Sequence, residues 1–260
     1  MPHLDSHVSP SDFAQEISRA FAHCSFAAPA AGEACVVLCD STAWTTCVAS
    51  AERLLDAGEL ARAARFRFEQ DRFTYVLAHA LWRTALGICL GMEAAHVPLG
   101  STPAGQPRLH GTGYATSLSH SGNWVAIAIC AGVTVGVDIE RSPARMTLDE
   151  LMPLICMPAE MADLARLPAQ ARETGLLKLW TRKEALLKAF GVGLNEDPAL
   201  MSAMSGGLVM PPSSVPDQAP CRVLDVGSLP DGLVGALAVP ATIMASRLHW
   251  LDKALGPAAD

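Results

Sequence analysis

One stretch in the second half of the chain leaves little freedom of conformation. Leu176, Leu177, Leu179, Ala185, Leu186, Leu187, Ala189 and Phe190 recur at helical spacing, and Gly191 supplies a C-terminal stop. Trp180, Glu184 and Lys188 lie four residues apart on that helix. Each such step turns by about 400°, so the three side chains form one slanted stripe. A carboxylate and an ammonium one turn apart therefore point the same way. An exposed Glu→Lys pair of this kind stabilises a helix by ~0.2–0.5 kcal/mol and would by itself account for the spacing.

A second stretch asks for more than that. Val133, Val135, Val137 and Ile139 alternate with Thr134, Gly136, Asp138 and Glu140, the period of a half-buried strand. Asp138 and Glu140 then project from one face, about 7 Å apart along the chain. Neighbouring carboxylates repel, and strands already disfavour Asp and Glu. A solvated outer face explains the alternation but not both acids. A divalent cation explains them, and oxygen-only ligands suit Mg²⁺, which takes one or two carboxylates together with waters and phosphates.

Composition narrows the remaining classes. Half of the 260 residues are apolar and 17% are charged, enough for a substantial core in one large domain or two small ones. The formal net charge of −7 argues against nonspecific nucleic-acid binding, which needs a basic surface. No run approaches the ~20 uninterrupted apolar residues of a membrane span. The opening Met1-Pro2-His3-Leu4-Asp5 has neither a basic start nor an apolar segment, so a cytoplasmic location is expected. Eight cysteines without a Cys-x-x-Cys pair read as buried thiols rather than disulfides or a zinc site.

Gly136-Val137-Asp138-Ile139-Glu140 followed by Trp180-Thr181-Arg182-Lys183-Glu184-Ala185 and Lys188 resembles the signature of the 4'-phosphopantetheinyl transferases. The spacing between the two motifs is similar to that of the larger, single-chain class that activates peptide and polyketide synthetases. The resemblance extends upstream through Ser117-Leu118-Ser119-His120-Ser121-Gly122 and Gly105-Gln106-Pro107 to the segment from Arg62 to Asp71, covering residues 35 to 200 approximately. It implies an α+β fold of two similar α/β halves related by a pseudo-twofold axis. The expected division is a loosely ordered extension over 1–33, an N-terminal half over 34–131 and a C-terminal half over 132–260.

The same resemblance implies a monomeric enzyme. It would transfer 4'-phosphopantetheine from coenzyme A to a serine of an acyl or peptidyl carrier protein, with Mg²⁺ as cofactor and 3',5'-ADP released. It assigns Asp138, Glu140 and Glu184 to the metal, and Glu184 and Lys188 to catalysis. Arg62, Arg65, Gln106, Ser119, His120 and Lys188 fall at positions that contact coenzyme A. Arginine suits phosphate because its planar fork donates two hydrogen bonds at once. Gln106 stands where the family commonly has lysine, and Phe73-Thr74-Tyr75 follow Arg72 where a further basic residue is common. Two alternatives stand beside this reading, a Mg²⁺-dependent phosphohydrolase of a nucleotide and a noncatalytic carrier-protein-binding relative. A Ser-His hydrolase is excluded, because adjacent Ser119 and His120 point apart on an extended chain and no Gly-x-Ser-x-Gly elbow is present.

The rest of the chain reads more coarsely. A short helix is expected around 13–21, a strand over 34–40, a helical stretch over 49–60 and a long helix over 73–90 with His79 as a satisfied core histidine. Strands are expected over 124–130, 221–226 and 233–239, helices between 148 and 171, loops over 98–107 and 205–220, and a frayed tail from 255. Lys183 is expected to face substrate or solvent, and Trp180 to pack beneath the site.

Overall fold

The structure is a computed structural model describing residues 12–102, 105–143 and 148–253. Its helices and strands confirm the α+β class. In chain order the elements are α1 (Phe13–His23), β1 (Glu33–Asp40), α2 (Val48–Ala51), α3 (Ala57–Ala63), α4 (Glu69–Leu90), β2 (Leu99–Ser101), β3 (Pro107–Leu109), β4 (Tyr114–Ser121), β5 (Trp124–Ala131), β6 (Gly136–Arg141), α5 (Leu148–Ile155), α6 (Pro158–Ala165), α7 (Ala169–Phe190), β7 (Leu208–Val209), β8 (Cys221–Asp225), β9 (Leu233–Pro240) and β10 (Ala245–Trp250). They divide into two compact units. One takes residues 12–28, Asp40–Val97 and 250–253; the other takes Pro29–Cys39 and Pro98–His249.

The first unit is helical. The N-terminal segment, expected to be loosely held, carries α1, whose Asp12 side chain caps the Ala14 N–H and whose Phe13, Ile17, Ala20 and Phe21 are buried. Helix α4 begins at Glu69, four residues before its apolar pattern, and ends on left-handed Gly91. It has the length and hydropathy of a membrane span, yet two thirds of its apolar window lies inside the protein. Arg83, 2% exposed, settles its character. The guanidinium donates to Glu59 Oε2 and Asp56 Oδ2 at 2.6 Å each and to the Val97 carbonyl, so a buried charge is paired and hydrogen-bonded. His79 Nδ1 lies 2.8 Å from Glu59 Oε1, which fits the satisfied core histidine expected. Burial works to raise the Glu59 carboxyl, but hydrogen bonds from His79, the Asp56 N–H and Arg83 outweigh it and hold the group below its ordinary range.

The second unit holds three sheets, ordered β10-β1-β5-β4, β2-β3 and β6-β9-β8-β7. Strands β4 and β5 pair antiparallel through the turn after Ser121, with His120 opposite Val125. The expected loop over 98–107 holds β2 and the first residue of β3, which pair antiparallel with Leu99 opposite Leu109. Strand β6 starts at Gly136 rather than 133 and is buried on both faces through Ile139, a correction to the half-buried strand its alternation implied. Val133, 71% exposed, precedes it as turn. Helix α7 lies across the face of the second large sheet that carries Val223, Val234, Ala236 and Ala238, packing Leu176, Leu177, Leu179, Leu186, Leu187 and Phe190 into that core. The eight cysteines form no disulfide; six are buried as expected, while Cys24 at the end of α1 and Cys89 in α4 are only half-buried.

Candidate functional site

Gly136 sets the position of α7. A Cβ at Gly136 would lie 1.8 Å from the Ala185 carbonyl and 2.7 Å from the Ala189 N–H, so helix and strand approach closely only because that side chain is missing. Gly136, Asp138 and Glu140 share a face by alternation. The close contact therefore lowers the Glu184 and Lys188 turns of α7 onto the two acids of β6. The sequence placed each pair on one face of its own element, and Gly136 joins the faces.

Asp138 is 5% exposed. Its Oδ1 accepts from Lys188 Nζ at 2.7 Å and from Ser119 Oγ at 2.8 Å. Its Oδ2 is buried without a hydrogen-bond partner. Lys188 also donates to the Val137 carbonyl at 3.1 Å and keeps 30% of its side chain exposed. Glu140 Oε2 accepts from Ser121 Oγ at 2.7 Å. Its carboxyl is raised above the ordinary range by burial, opposed by Ser121, with Asp138 adding to the rise. Glu184 is pushed up to about 6, first by burial and then by the Asp138 charge; Lys188 opposes this and Glu140 reinforces it. Both shifts register acids that sense each other's charge.

Glu184 makes a stability prediction for the metal-free protein. Its folded pKa of about 6 lies above the ordinary 4.5, so the native state holds this proton more tightly than the unfolded chain. Stability from it is full below 4.5 and is lost as pH rises through about 6. Thermal melts in chelator are expected to show wild type losing more stability than Glu184→Gln across this window. Parallel curves would mean that Glu184 ionises there at no cost.

Several expected contacts take other roles. Ser119 is buried, and its single O–H is spent on Asp138 while its oxygen accepts the Ile139 N–H at 3.3 Å, leaving no donor for a coenzyme A phosphate. Gln106 Nε2 donates to the Lys188 and Ala189 carbonyls at 3.1 and 3.0 Å, and its amide lies over left-handed Gly191. It closes the C-terminus of α7, where carbonyls lack partners within the helix. His120 is exposed on the opposite face of β4 from Ser119. Lys183 is the clearest correction, for it is fully buried rather than facing substrate. Arg62 and Arg65 belong to the other unit, both exposed beside a depression lined with Gly58, Ala61 and Phe66. The Arg62 guanidinium sits 5.8 Å from the Tyr75 ring centre.

The acids do not form a preformed metal cage. Among the described residues, no three His, Cys, Asp or Glu side chains stand close enough together to grip a metal ion between them. Lys188 already pairs with one of the three acids, Asp138. The fit is to an ion satisfied by a few carboxylate oxygens plus other donors, as Mg²⁺ is. The buried, unpartnered Asp138 Oδ2 is an oxygen that only such a partner, or water, completes.

Comparison with known proteins points one way. Residues 134–205 match the model of the 4'-phosphopantetheinyl transferase superfamily, and 42–132 match that of the 4'-phosphopantetheinyl transferase N-terminal domain. The chain is 33% identical over 144 residues to the 4'-phosphopantetheinyl transferase HetI of a Nostoc species, covering 54% of this chain and 61% of that one. It is 32% identical over 160 residues to a phosphopantetheinyl transferase of a Thraustochytrium species, covering 54% and 55% of the two chains. With the 4'-phosphopantetheinyl transferase psf-1 of Bacillus pumilus it shares 29% identity over 166 residues, covering 63% and 70%. The match thus spans less than two thirds of the length of the first two relatives.

Proposed function

Because the chain belongs to the 4'-phosphopantetheinyl transferase superfamily, we propose that it moves 4'-phosphopantetheine from coenzyme A to a serine hydroxyl of an acyl or peptidyl carrier protein. The serine oxygen bonds to the phosphorus that carries the pantetheine arm. The bond from that phosphorus to the adenosine-side phosphate breaks, and 3',5'-ADP leaves. The observation that carries the reading is the junction of β6 with α7, where Lys188 pairs with Asp138 and the Glu140 and Glu184 carboxyls feel the charges of both.

Such transfer needs positioning and charge neutralisation rather than an enzyme nucleophile. Asp138, Glu140 and Glu184 would hold Mg²⁺, which when bound neutralises charge on the pyrophosphate. Glu184 is also placed to orient or take the serine proton, directly or through water. Lys188 keeps a partly exposed ammonium beside Asp138, where it offsets charge on phosphate oxygens. Arg62, Arg65 and His120 are exposed donors for the phosphates of coenzyme A. The two family models meet between residues 132 and 134, which supports a boundary near there, and we retain two similar halves about a pseudo-twofold axis as part of the proposal. We also retain the monomeric, cytoplasmic reading, without nucleic-acid or membrane partners.

The test is a mass spectrum of an apo carrier protein incubated with this protein, coenzyme A and Mg²⁺. The expected result is a gain of one phosphopantetheine on the serine, abolished by chelator; an unchanged carrier mass with several carriers overturns the proposal. Arg62→Ala is expected to raise the KM for coenzyme A more than it lowers kcat, since its contact is made before the reaction begins. Steady-state kinetics with an unchanged KM would return Arg62 to the solvated surface.

A further inference from the structure

Three serines alternate along β4, and each does something a strand edge does not ordinarily do. Strands β4 and β6 end their respective sheets and run side by side, yet no backbone ladder joins them. Serine hydroxyls take the place of that ladder. The Val137 N–H donates to Ser117 Oγ at 3.1 Å, the Ile139 N–H to Ser119 Oγ at 3.3 Å and the Arg141 N–H to Ser121 Oγ at 3.2 Å. A hydroxyl that accepts in this way still has one proton to give. Ser119 gives it to Asp138 Oδ1 and Ser121 gives it to Glu140 Oε2.

We propose that Ser119 and Ser121 are positioning residues that set the rotamers of Asp138 and Glu140 so that each acid offers its second oxygen to a divalent cation. This rests on reading those acids as metal ligands. At Asp138 the division of labour is explicit. Oδ1 is filled by Ser119 from the strand side and by Lys188 from the helix side, whereas Oδ2 is buried and has no hydrogen-bond partner. A carboxylate fixed through one oxygen cannot swing to satisfy the other, so the free oxygen stays aimed and desolvated. The seam supplies the fixing, because the backbone N–H groups of β6 hold each hydroxyl in place while it donates. Ser117 belongs to the same seam but serves only the Val137 N–H, and so provides an internal control.

Manganese serves as the probe, with free Mn²⁺ measured by electron paramagnetic resonance against the full-length protein without coenzyme A. Ser119→Ala is expected to weaken Mn²⁺ binding by ~10–100-fold, the usual effect of removing a group that orients a metal ligand. Ser121→Ala, at a less buried position, should weaken it in the same direction, and Ser119→Thr should restore most of the loss by returning the hydroxyl. Ser117→Ala should bind Mn²⁺ as wild type does, although it removes an equal contact from the seam. Wild-type affinity in both Ser119→Ala and Ser121→Ala would overturn the inference alone, as would equal weakening by Ser117→Ala, which would mark a loosened seam. Failure of wild type to bind Mn²⁺ would instead remove the metal reading beneath it. Circular dichroism of each variant keeps misfolding separate, and the Ser121→Ala arm decides if Ser119→Ala does not fold.

Discussion

Glu184→Gln is expected to slow transfer by ~10²–10⁴-fold while the protein stays folded, because the substitution keeps shape and hydrogen bonding but removes a carboxylate able to accept a proton. A simple Glu–Lys helix pair would predict almost no effect. The structure weakens that simple account, for Lys188 gives its ammonium to Asp138 at 2.7 Å. Without a bound cation, burial and the Asp138 charge hold the Glu184 carboxyl at about 6, with Lys188 opposing and Glu140 adding to the rise. The measurement is single-turnover transfer to a carrier protein at saturating coenzyme A, with circular dichroism to verify folding. Lys188→Ala should also lower kcat, since the charge it offsets is greatest in the transition state. Combining the two substitutions should add little to the worse of them, as groups that act together are strongly non-additive. Normal turnover by Glu184→Gln would sink the mechanism and leave the fold untouched.

Lys183→Ala is expected to cost ~3–5 kcal/mol of stability, the penalty of stranding the partner of a buried charge. Lys183 Nζ donates to Glu160 Oε2 at 2.5 Å, to the Ile155 carbonyl at 2.6 Å and to the Pro198 carbonyl at 2.9 Å. One ammonium thus ties the end of α5, the first turn of α6 and the segment after α7 to the middle of α7. Glu160 extends the tie by accepting from the Met157 and Ala203 N–H groups. Removal leaves a carboxylate that is 12% exposed without its cation, and carbonyls without a donor. Urea unfolding should show the loss as a lower midpoint at unchanged slope. Arg166→Ala, which breaks a pair exposed by about three quarters on both sides, should scarcely move the midpoint. A small loss at Lys183 would mean that the interior there relaxes or admits water.

Periodicity read the site in pieces. Alternation put Asp138 and Glu140 on one face, and helical spacing put Glu184 and Lys188 on another, because both inferences need only neighbours along the chain. What brought the faces together was the missing Cβ at Gly136, a contact across fifty residues that spacing alone does not reveal. Lys183 was misread for the same reason. A lysine among polar residues on a helix looks solvated until Ile155, Glu160 and Pro198 are known to surround it. The alternation Ser117-x-Ser119-x-Ser121 was visible, but a seam between strands of different sheets leaves no mark that distinguishes it from a polar strand start. Strand boundaries failed where pattern was weak: β10 carries Arg247 and His249 without clean alternation, and the polar first turn of α4 hid its true start. The frayed tail expected from 255 lies outside the described residues.

The serine seam also bears on how this chain avoids sticking to its neighbours. A sheet normally ends in a row of open amides that can recruit a strand from another molecule. Here the open N–H groups of Val137, Ile139 and Arg141 on the border of β6 are taken by serine hydroxyls of β4, so that border is closed. The protection is made of side chains rather than backbone, and it lasts only while the hydroxyls stay engaged. Any event that parts these strands reopens the amides of β6 beside the apolar Val137 and Ile139, a border able to pair with another chain. The contact that aims the acids is therefore also a guard against aggregation during folding.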